Sequence, residues 1–299
     1  MNAMPAPVLP AVPTPFEPYV LLRPEADAIP LVCDSPHSGT LYPDDFGYAL
    51  PFERLRRGED TDVHVLWQAL PSVGATLLAA NFPRSYIDPN REIEDMDADM
   101  LDGAWPGALT PSEKTRLGIG LIWRDAGKNG KDAIYARKLG VAEVRARIER
   151  YHGPYHAALR EQIEAAHRDF GAVWHLNLHS MPADSYEGLQ IRSDHPLADV
   201  VLGDRDGSTA APEFTALVAD AFRRRGLSVA LNDPFKGVAL IARLGRPAER
   251  RHSLQVELHR GLYMHEDTRE RSANFDALQH TLADVSAEIA AYVRSQTPR

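Results

Sequence analysis

Two histidines each follow a short apolar run of the sequence, and together they could bind a metal ion. His37 comes shortly after the run 29–33, in a turn that Pro36 and Gly39 favour, and His179 comes directly after the run 173–178. Catalytic zinc sites commonly use three protein ligands, histidine and carboxylate among them, and leave a fourth position for water. The pair therefore predicts a site for one zinc ion or another divalent metal.

A carboxylate ligand for this site is available in the acidic segment that follows Gly58. Glu59, Asp60 and Asp62 lie within four residues of one another. A charged helix N-terminus explains some of these acids equally well, because negative side chains stabilise the positive end of a helix dipole. From the residues alone, the three carboxylates remain alternatives.

Glu257 lies among aliphatic residues in the run 254–258, where a charged side chain is costly unless it is paired or functional. Burial would raise its pKa and let it take a proton from water and pass it to a leaving nitrogen. This pattern predicts a general base. The alternative is a structural ion pair with Arg260 or another arginine.

A dense polar stretch follows the apolar run 75–80 and contains Arg84, Asp88, Asn90 and Arg91. Arginine presents a planar fork that suits carboxylates and can stabilise an oxyanion, so Arg84 and Arg91 are candidates for contacts with an anionic substrate. A turn stabilised by an Asp88–Arg91 pair is the alternative. The net charge of −9 makes local clusters of arginine informative, since an acidic protein that binds an anion must concentrate positive charge locally.

Short apolar runs bounded by turn residues must position these side chains. The predicted strands are 29–33, 75–80, 173–178, 200–203, 227–231 and 254–258. Between them, apolar residues spaced by three and four from Val141 to Ile163 predict a helix that Gly153-Pro154 kinks or restarts. Alternating strands and helices predict an α/β fold with a parallel or mixed sheet, in which ligands bind at the carboxyl ends of the strands.

The chain of 299 residues is predicted to contain one catalytic domain at 18–299, preceded by an extended arm at 1–17 with prolines at 5, 8, 10, 13 and 15. Residues 92–131 lack clear periodicity. They predict a long excursion or lid over the site, because long irregular loops in compact domains are usually functional or disordered.

Composition excludes several classes of function. No basic patch supports a nucleic-acid partner, and no apolar run or signal peptide supports a membrane, so a cytoplasmic protein is expected. The single cysteine, Cys33, allows no internal disulfide. The absence of a Gly-x-Ser-x-Gly motif argues against a serine nucleophile. Nothing in the sequence indicates an oligomeric state.

Five motifs, taken in order from about Leu31 to Met264, resemble those of the N-formylglutamate amidohydrolase family. They are Ser35-Pro36-His37-Ser38-Gly39, Asp60, Arg84 with Asp88 and Asn90-Arg91, Asn177-Leu178-His179-Ser180-Met181, and the stretch from Gln255 to Met264. The resemblance implies a single-domain, three-layer α/β/α fold with a mixed central sheet, similar to zinc carboxypeptidases and aspartoacylase. It also implies hydrolysis of N-formyl-L-glutamate to formate and L-glutamate in histidine degradation.

For the site, the resemblance implies zinc on His37 and His179, Glu257 as base, and Arg84 and Asn90-Arg91 at the substrate. Zinc carboxypeptidases have a glutamate three residues after the first histidine, whereas this chain has Thr40 there. The carboxylate ligand must come from elsewhere, and we infer Asp60. Because N-formylglutamate carries two carboxylates, Arg260 is added to the predicted substrate-binding residues.

Two other functions remain open from the sequence. An amidohydrolase of another N-acyl amino acid would share the metal site and differ in the lining of its pocket. A non-catalytic protein that binds an acyl amino acid would have no need of a base, so the presence of Glu257 beside both histidines favours an enzyme.

Overall fold

A seven-stranded mixed sheet runs through the part of the chain that the structure describes, residues 16–126 and 132–297 of a computed structural model. Its strands are β1 (Tyr19–Leu22), β2 (Leu31–Ser35), β3 (Thr76–Ala80), β6 (Val173–Met181), β7 (Val200–Gly203), β8 (Val229–Leu231) and β9 (Arg251–His259). The short strands β4 (Leu101–Asp102) and β5 (Leu139–Gly140) pair separately. All six predicted strands form. The edge strand β1 was not predicted, and β6 is longer than expected, so that His179 lies within it.

The strand order is β1-β3-β2-β6-β9-β7-β8. The central strands β3, β2, β6 and β9 are mutually parallel, while β1 and β7 run antiparallel to their neighbours β3 and β9. Because the carboxyl ends of parallel strands meet at one edge of a sheet, residues that follow β2 and β3 lie beside the ends of β6 and β9.

The α-helices are α1 (Phe52–Leu55), α2 (Val63–Leu66), α3 (Glu113–Arg116), α4 (Val141–Arg147), α5 (Gly153–Phe170), α6 (Ser185–Gly188), α7 (Pro212–Arg223), α8 (Ala239–Leu244) and α9 (Phe275–Gln296). A π-helical segment, Ile148–His152, joins α4 to α5, which begins at Gly153 as the Gly153-Pro154 pair predicts. No helix in the described ranges combines the length and apolar composition needed to cross a membrane.

Helices cover both faces of the sheet. On one face, α2, α7 and α9 pack against an aliphatic core that includes Leu176, Val256 and the buried Cys33. On the other face, α4 and α5 pack on a second core through residues such as Tyr155 and Leu159. This is the predicted three-layer α/β/α arrangement around a mixed sheet. Of the predicted arm at 1–17, only Phe16 and Glu17 lie within the described residues.

The strands β6 and β9 alternate between apolar residues on one face and mainly polar residues on the other. In β6, Trp174, Leu176 and Leu178 enter the first core, whereas the alternate residues His175, Asn177 and His179 are polar and point to the opposite face. The neighbouring strand β9 repeats this pattern, with Ser253, Gln255 and Glu257 in register with the three polar residues of β6. A row of buried polar side chains therefore crosses the middle of the sheet.

Candidate active site

Four adjacent parallel strands bring the predicted chemical groups to one edge of the sheet. His37 lies in the turn after β2, Arg84 lies after β3, and His179 and Glu257 lie near the ends of β6 and β9. His179 and Glu257 are register partners, so their side chains are neighbours on the same face. The sheet itself thus fixes the relative positions of the candidate ligand and the candidate base.

His37, Asp60 and His179 form a buried cluster whose facing atoms lie within 4.8 Å of one another. Asp60 Oδ2 is 3.4 Å from His37 Nδ1 and 3.1 Å from His179 Nδ1. Each of the three residues is at most 3% exposed. The structure therefore brings together the three residues that the sequence suggested as metal ligands.

The outer nitrogen of each imidazole lies beside an acceptor, and that of His179 also lies 2.9 Å from the amide nitrogen of Asn90. His37 Nε2 is 2.7 Å from Asp88 Oδ1, and His179 Nε2 is 2.7 Å from Asn177 Oδ1. With a proton on Nε2, each ring directs the lone pair of Nδ1 towards Asp60, an orientation that outer partners commonly impose on metal-binding histidines.

The donor set fits a divalent cation. Although His37 Nδ1 is buried, it has no hydrogen-bond partner in the described ranges. Burial lowers the pKa of His179 to about 4, which leaves this imidazole neutral and able to donate its lone pair. Two neutral imidazole nitrogens and one carboxylate oxygen match the ligand types of catalytic zinc sites.

The structure distinguishes Asp60 from Glu59 and Asp62, the other two candidate carboxylate ligands. Glu59 accepts hydrogen bonds from Tyr42, Arg56 and Thr61, and Asp62 pairs with Arg271. Of the three acids, Asp60 alone belongs to the histidine cluster within the described residues.

Arg260 lies in the wall of the site, but Asp60 and two oxygens of the protein occupy its donors. Its Nη2 donates to Asp60 Oδ1 at 2.9 Å, and other nitrogens donate to Ser180 Oγ and Arg57 O. Burial acts to raise the pKa of Asp60, but the contacts with His179 and His37 and the charge of Arg260 lower it well below its ordinary value. Arg260 therefore helps to keep the central carboxylate ionised.

Glu257 has no salt bridge among the described residues. Its Oε1 accepts a hydrogen bond from Gln255 Nε2 at 2.7 Å, and the suggested partner Arg260 binds Asp60 instead. Burial and the charge of Asp60 raise the pKa of Glu257 to about 8. A buried carboxyl group that titrates near neutral pH and borders a cavity has the properties of a general acid or base.

Asp88 holds the polar stretch after β3 in place, a role that the sequence analysis did not assign to it. Besides contacting His37, Asp88 accepts hydrogen bonds from Arg84 Nη2 at 3.0 Å, Trp123 Nε1 at 3.2 Å and the backbone NH of Asn90 at 2.8 Å. Burial opposes ionisation of Asp88, but the charge of Arg84 and the contact with His37 lower its pKa well below the ordinary value. The ionised carboxylate of Asp88 thus holds both the imidazole of His37 and the guanidinium of Arg84.

The other residues predicted to bind the substrate lie around the histidine cluster. The guanidinium of Arg84 lies 4.8 Å from the ring centre of Trp123. The Asn90 amide is 2.9 Å from His179 Nε2, and Arg91 Nη2 is 4.0 Å from Asp88 Oδ2. Arg84, Asn90 and Arg91 therefore all border the cavity next to the cluster.

A second buried network lies behind the cluster. Asp34 accepts hydrogen bonds from Asn177 Nδ2 at 2.8 Å and Tyr155 OH at 2.7 Å, and it contacts His175 Nε2 at 2.9 Å. The other nitrogen of His175 lies 2.8 Å from Ser253 Oγ. Although these contacts have the order of a serine hydrolase triad, none of the three residues lines the cavity. The network instead orients Asn177, whose oxygen faces His179.

A cavity of about 910 Å³ opens from the cluster and is rich in positive charge. Its basic side chains are those of Arg57, Arg84, Arg91, Lys114, Arg116, Arg124, Arg260 and Arg269. Its acidic ones are those of Asp184, Glu257, Glu266 and Asp267. In a chain of net charge −9, this concentration of basic groups suits an anionic ligand.

The excursion at 92–131 forms part of the cavity wall. Lys114, Ile119 and Trp123 lie within it and line the cavity, although the sequence analysis assigned none of them to the site. Residues 127–131 lie outside the described residues. Gln255 was also missed as an individual site residue, and the alternation of polar and aliphatic residues in β9 is the signal that could have identified it.

Comparison with known proteins gives consistent matches over most of the chain. The model of the N-formylglutamate amidohydrolase family matches residues 29–264. The N-formylglutamate deformylase of Pseudomonas putida is 28% identical over 243 residues, which cover 80% of this chain and 83% of that protein. The corresponding protein of Pseudomonas aeruginosa is 27% identical over 244 residues, with the same coverage of both chains.

Solved structures agree with these matches. The crystal structure of N-formylglutamate amidohydrolase from Ralstonia eutropha JMP134 is 58% identical, with a TM-score of 0.93 over 94% of this chain and 100% of that chain. A gene product of Agrobacterium tumefaciens shares the fold at 18% identity and a TM-score of 0.60, over 94% of each chain.

Proposed function

Because the chain belongs to the N-formylglutamate amidohydrolase family, we propose that it is a metal-dependent enzyme that hydrolyses N-formyl-L-glutamate to formate and L-glutamate. The observation that carries the proposal is the convergence of His37, Asp60 and His179 beside Glu257 at a cationic cavity. The resemblance places this reaction in histidine degradation, which stays a prediction.

The proposed ligand atoms are His37 Nδ1, Asp60 Oδ2 and His179 Nδ1. A zinc ion, or another divalent cation, held there would polarise the formyl carbonyl and make a water molecule more acidic. His37 and His179 are supported from behind by Asp88 and Asn177, which keep the Nδ1 atoms directed at the same point.

Glu257 is the proposed base. It takes a proton from the attacking water as the oxygen adds to the formyl carbon, and it returns that proton to the glutamate nitrogen when the carbon–nitrogen bond breaks. The charge of Asp60 raises the pKa of Glu257, so neutralising that charge with a cation allows Glu257 to ionise near neutral pH.

Arg84 is proposed to stabilise the negative charge that develops on the formyl oxygen. Its support is that the guanidinium lines the same cavity as Glu257 and His179, and that its charge lowers the pKa of both groups. Asn90 and Arg91 are assigned to the substrate beside it. Arg260 contributes positive charge to the same wall while it binds Asp60.

Glu257 forms no ion pair within the described part of the chain, which favours an enzyme over a binding protein. A buried carboxyl group beside the cluster has no evident task in a protein that only binds an anion, and Gln255 is its hydrogen-bonding partner among the described residues. The cationic cavity favours an acyl amino acid with an acidic side chain over one with an apolar side chain.

The proposal predicts a clear order of substrates for the purified, zinc-supplied protein. N-formyl-L-glutamate should have a kcat/KM at least about tenfold above that of N-formyl-L-leucine, because a charge-assisted hydrogen bond contributes about 1.5–3 kcal/mol. Formate release measures the formyl substrates, and glutamate release measures N-acetyl-L-glutamate. Faster hydrolysis of N-acetyl-L-glutamate would indicate a different amidohydrolase, and binding without hydrolysis of any compound would indicate a binding protein.

A further inference from the structure

The arginines predicted to bind the substrate's carboxylates already have anionic partners. Arg84 donates to Asp88 Oδ2 at 3.0 Å, and Arg260 donates to Asp60 Oδ1 at 2.9 Å. Arg91 lies 4.0 Å from Asp88 and donates to the backbone oxygens of Ile119 and Asn90. Their charges contribute to the cavity, but each guanidinium already has an acidic partner, and a dicarboxylate substrate is better matched by a cation that has none.

Lys114 meets this requirement. It lies on α3 in the excursion, is half-buried and lines the cavity. Among the residues that the structure describes, none forms a hydrogen bond or salt bridge with its ammonium group. Burial, followed by the charges of Arg91 and Arg84, lowers the pKa of Lys114 to about 8, while Glu113 and, after it, Glu257 act in the opposite direction. Lys114 therefore shares the cavity with Arg84, Arg91 and Glu257 and forms no ion pair with any described residue.

The backbone around Lys114 is held firmly to the excursion. Asp95 accepts hydrogen bonds from the backbone NH and the hydroxyl of Ser112 at 2.7 and 2.8 Å, and it also accepts one from Thr115 Oγ1. Asp95 O in turn accepts from the backbone NH of Leu121 at 2.7 Å. Residues on both sides of Lys114 are thus tied to one buried aspartate, which limits the positions that the lysine can reach.

We propose that Lys114 binds the side-chain carboxylate of the acyl amino acid, so that the excursion selects acidic substrates. This inference rests on the proposed function. The reacting amide must lie at the buried cluster beside Glu257, whereas Lys114 approaches from the half-buried wall that the excursion supplies. The carboxylate farthest from the amide is therefore the one that meets the ammonium.

The test is a substrate comparison in Lys114→Met. Its KM for N-formyl-L-glutamate should rise by about 10- to 100-fold, the effect of losing one charge-assisted hydrogen bond, with a smaller change in kcat. Its KM for N-formyl-L-glutamine, which lacks the side-chain charge, should change less than about twofold, because no such bond is lost. Lys114→Arg should recover part of the affinity for the acidic substrate. Equal losses on both substrates, or no loss on either, would overturn the proposal.

Lys138→Met is a matched control, because Lys138 is exposed, does not line the cavity and loses the same charge. Its KM for both formyl substrates should match that of the unmodified protein. Calorimetric binding of N-formyl-L-glutamate to the zinc-loaded Glu257→Gln background separates this inference from the proposed function. If the unmodified protein hydrolyses neither formyl substrate, the proposed function fails. Weaker binding caused by Lys114→Met alone still supports the role of the lysine, and unchanged binding contradicts it.

Discussion

Asp60→Asn is expected to lose the metal, whereas Asp62→Asn, the same change two residues further on, is expected to keep it. Asp60 Oδ2 faces both imidazoles, while Asp62 pairs with Arg271 away from them. Loss of a residue that merely supports a ligand already weakens metal binding by about 10- to 100-fold. Loss of a ligand itself should therefore weaken zinc binding by more than about 100-fold. Competition for zinc against a chromophoric chelator measures the difference.

A second pair of variants separates ligation from stability. Asp60→Asn also leaves the buried Arg260 without its partner, which by itself destabilises the fold. His179→Ala removes a ligand without removing that ion pair and should lose the metal as well. His156→Ala alters a histidine outside the cluster, so this variant should retain the metal. A folded Asp60→Asn or His179→Ala protein with zinc affinity like that of the unmodified chain would refute the ligand assignment.

Glu257→Gln is expected to reduce kcat on N-formyl-L-glutamate by about two to four orders of magnitude, the usual contribution of a general base. Glutamine retains the shape of the side chain and an oxygen that can accept the hydrogen bond from Gln255, but it cannot take a proton. Zinc content and KM should change much less, since the proposed role belongs to the transition state. Steady-state kinetics, elemental analysis and melting temperature are measured on one preparation.

Glu266→Gln provides the control for this prediction, because Glu266 is another acid that lines the cavity. It contacts the backbone NH of Ala183 and lies outside the histidine cluster, so its substitution should leave kcat within a few-fold of the original. A stable, zinc-loaded Glu257→Gln protein with near-normal kcat would exclude Glu257 as the base.

The parts of this site that follow from local sequence were predictable. Runs of β-branched and aliphatic residues identify β2, β3, β6 and β9, and the direction of a parallel strand determines at which edge its following residues lie. His37 and His179 were therefore expected at the same edge if their strands were parallel, and the structure shows that the two strands are also adjacent. The choice of Asp60 over Glu59 and Asp62 needed the structure, because three nearby acids differ only in where the turn points them.

Contacts between distant segments were not predictable in the same way. Asp88 and Arg91 lie three residues apart and form the suggested local pair, but Asp88 also contacts His37, which is 51 positions away along the chain. Arg260 follows Glu257 by three residues, yet it binds Asp60, 200 positions away. Lys114 lies in a segment without periodicity, so only the folded excursion shows that it faces the cavity.

The alternation of polar and apolar residues in β6 and β9 predicts more of the site than His179 and Glu257 alone. Alternation places His175, Asn177 and His179 on one face of β6 and Ser253, Gln255 and Glu257 on the same face of β9. When all the alternate residues of both strands are considered, and not only His179 and Glu257, the sequence predicts the buried polar row that supports the site. The edge strand β1 was missed because its four residues follow directly on a proline-rich segment.

The most direct test of the account is a metal titration of N-formyl-L-glutamate hydrolysis. The purified protein is stripped with a chelator, and formate release is measured as zinc is added back in sub-stoichiometric steps, with elemental analysis at each step. We expect hydrolysis to be lost on stripping and to rise linearly until about one ion is bound per chain, because His37, Asp60 and His179 form one three-ligand cluster. Undiminished hydrolysis by protein in which elemental analysis detects no metal would contradict a metal-dependent mechanism.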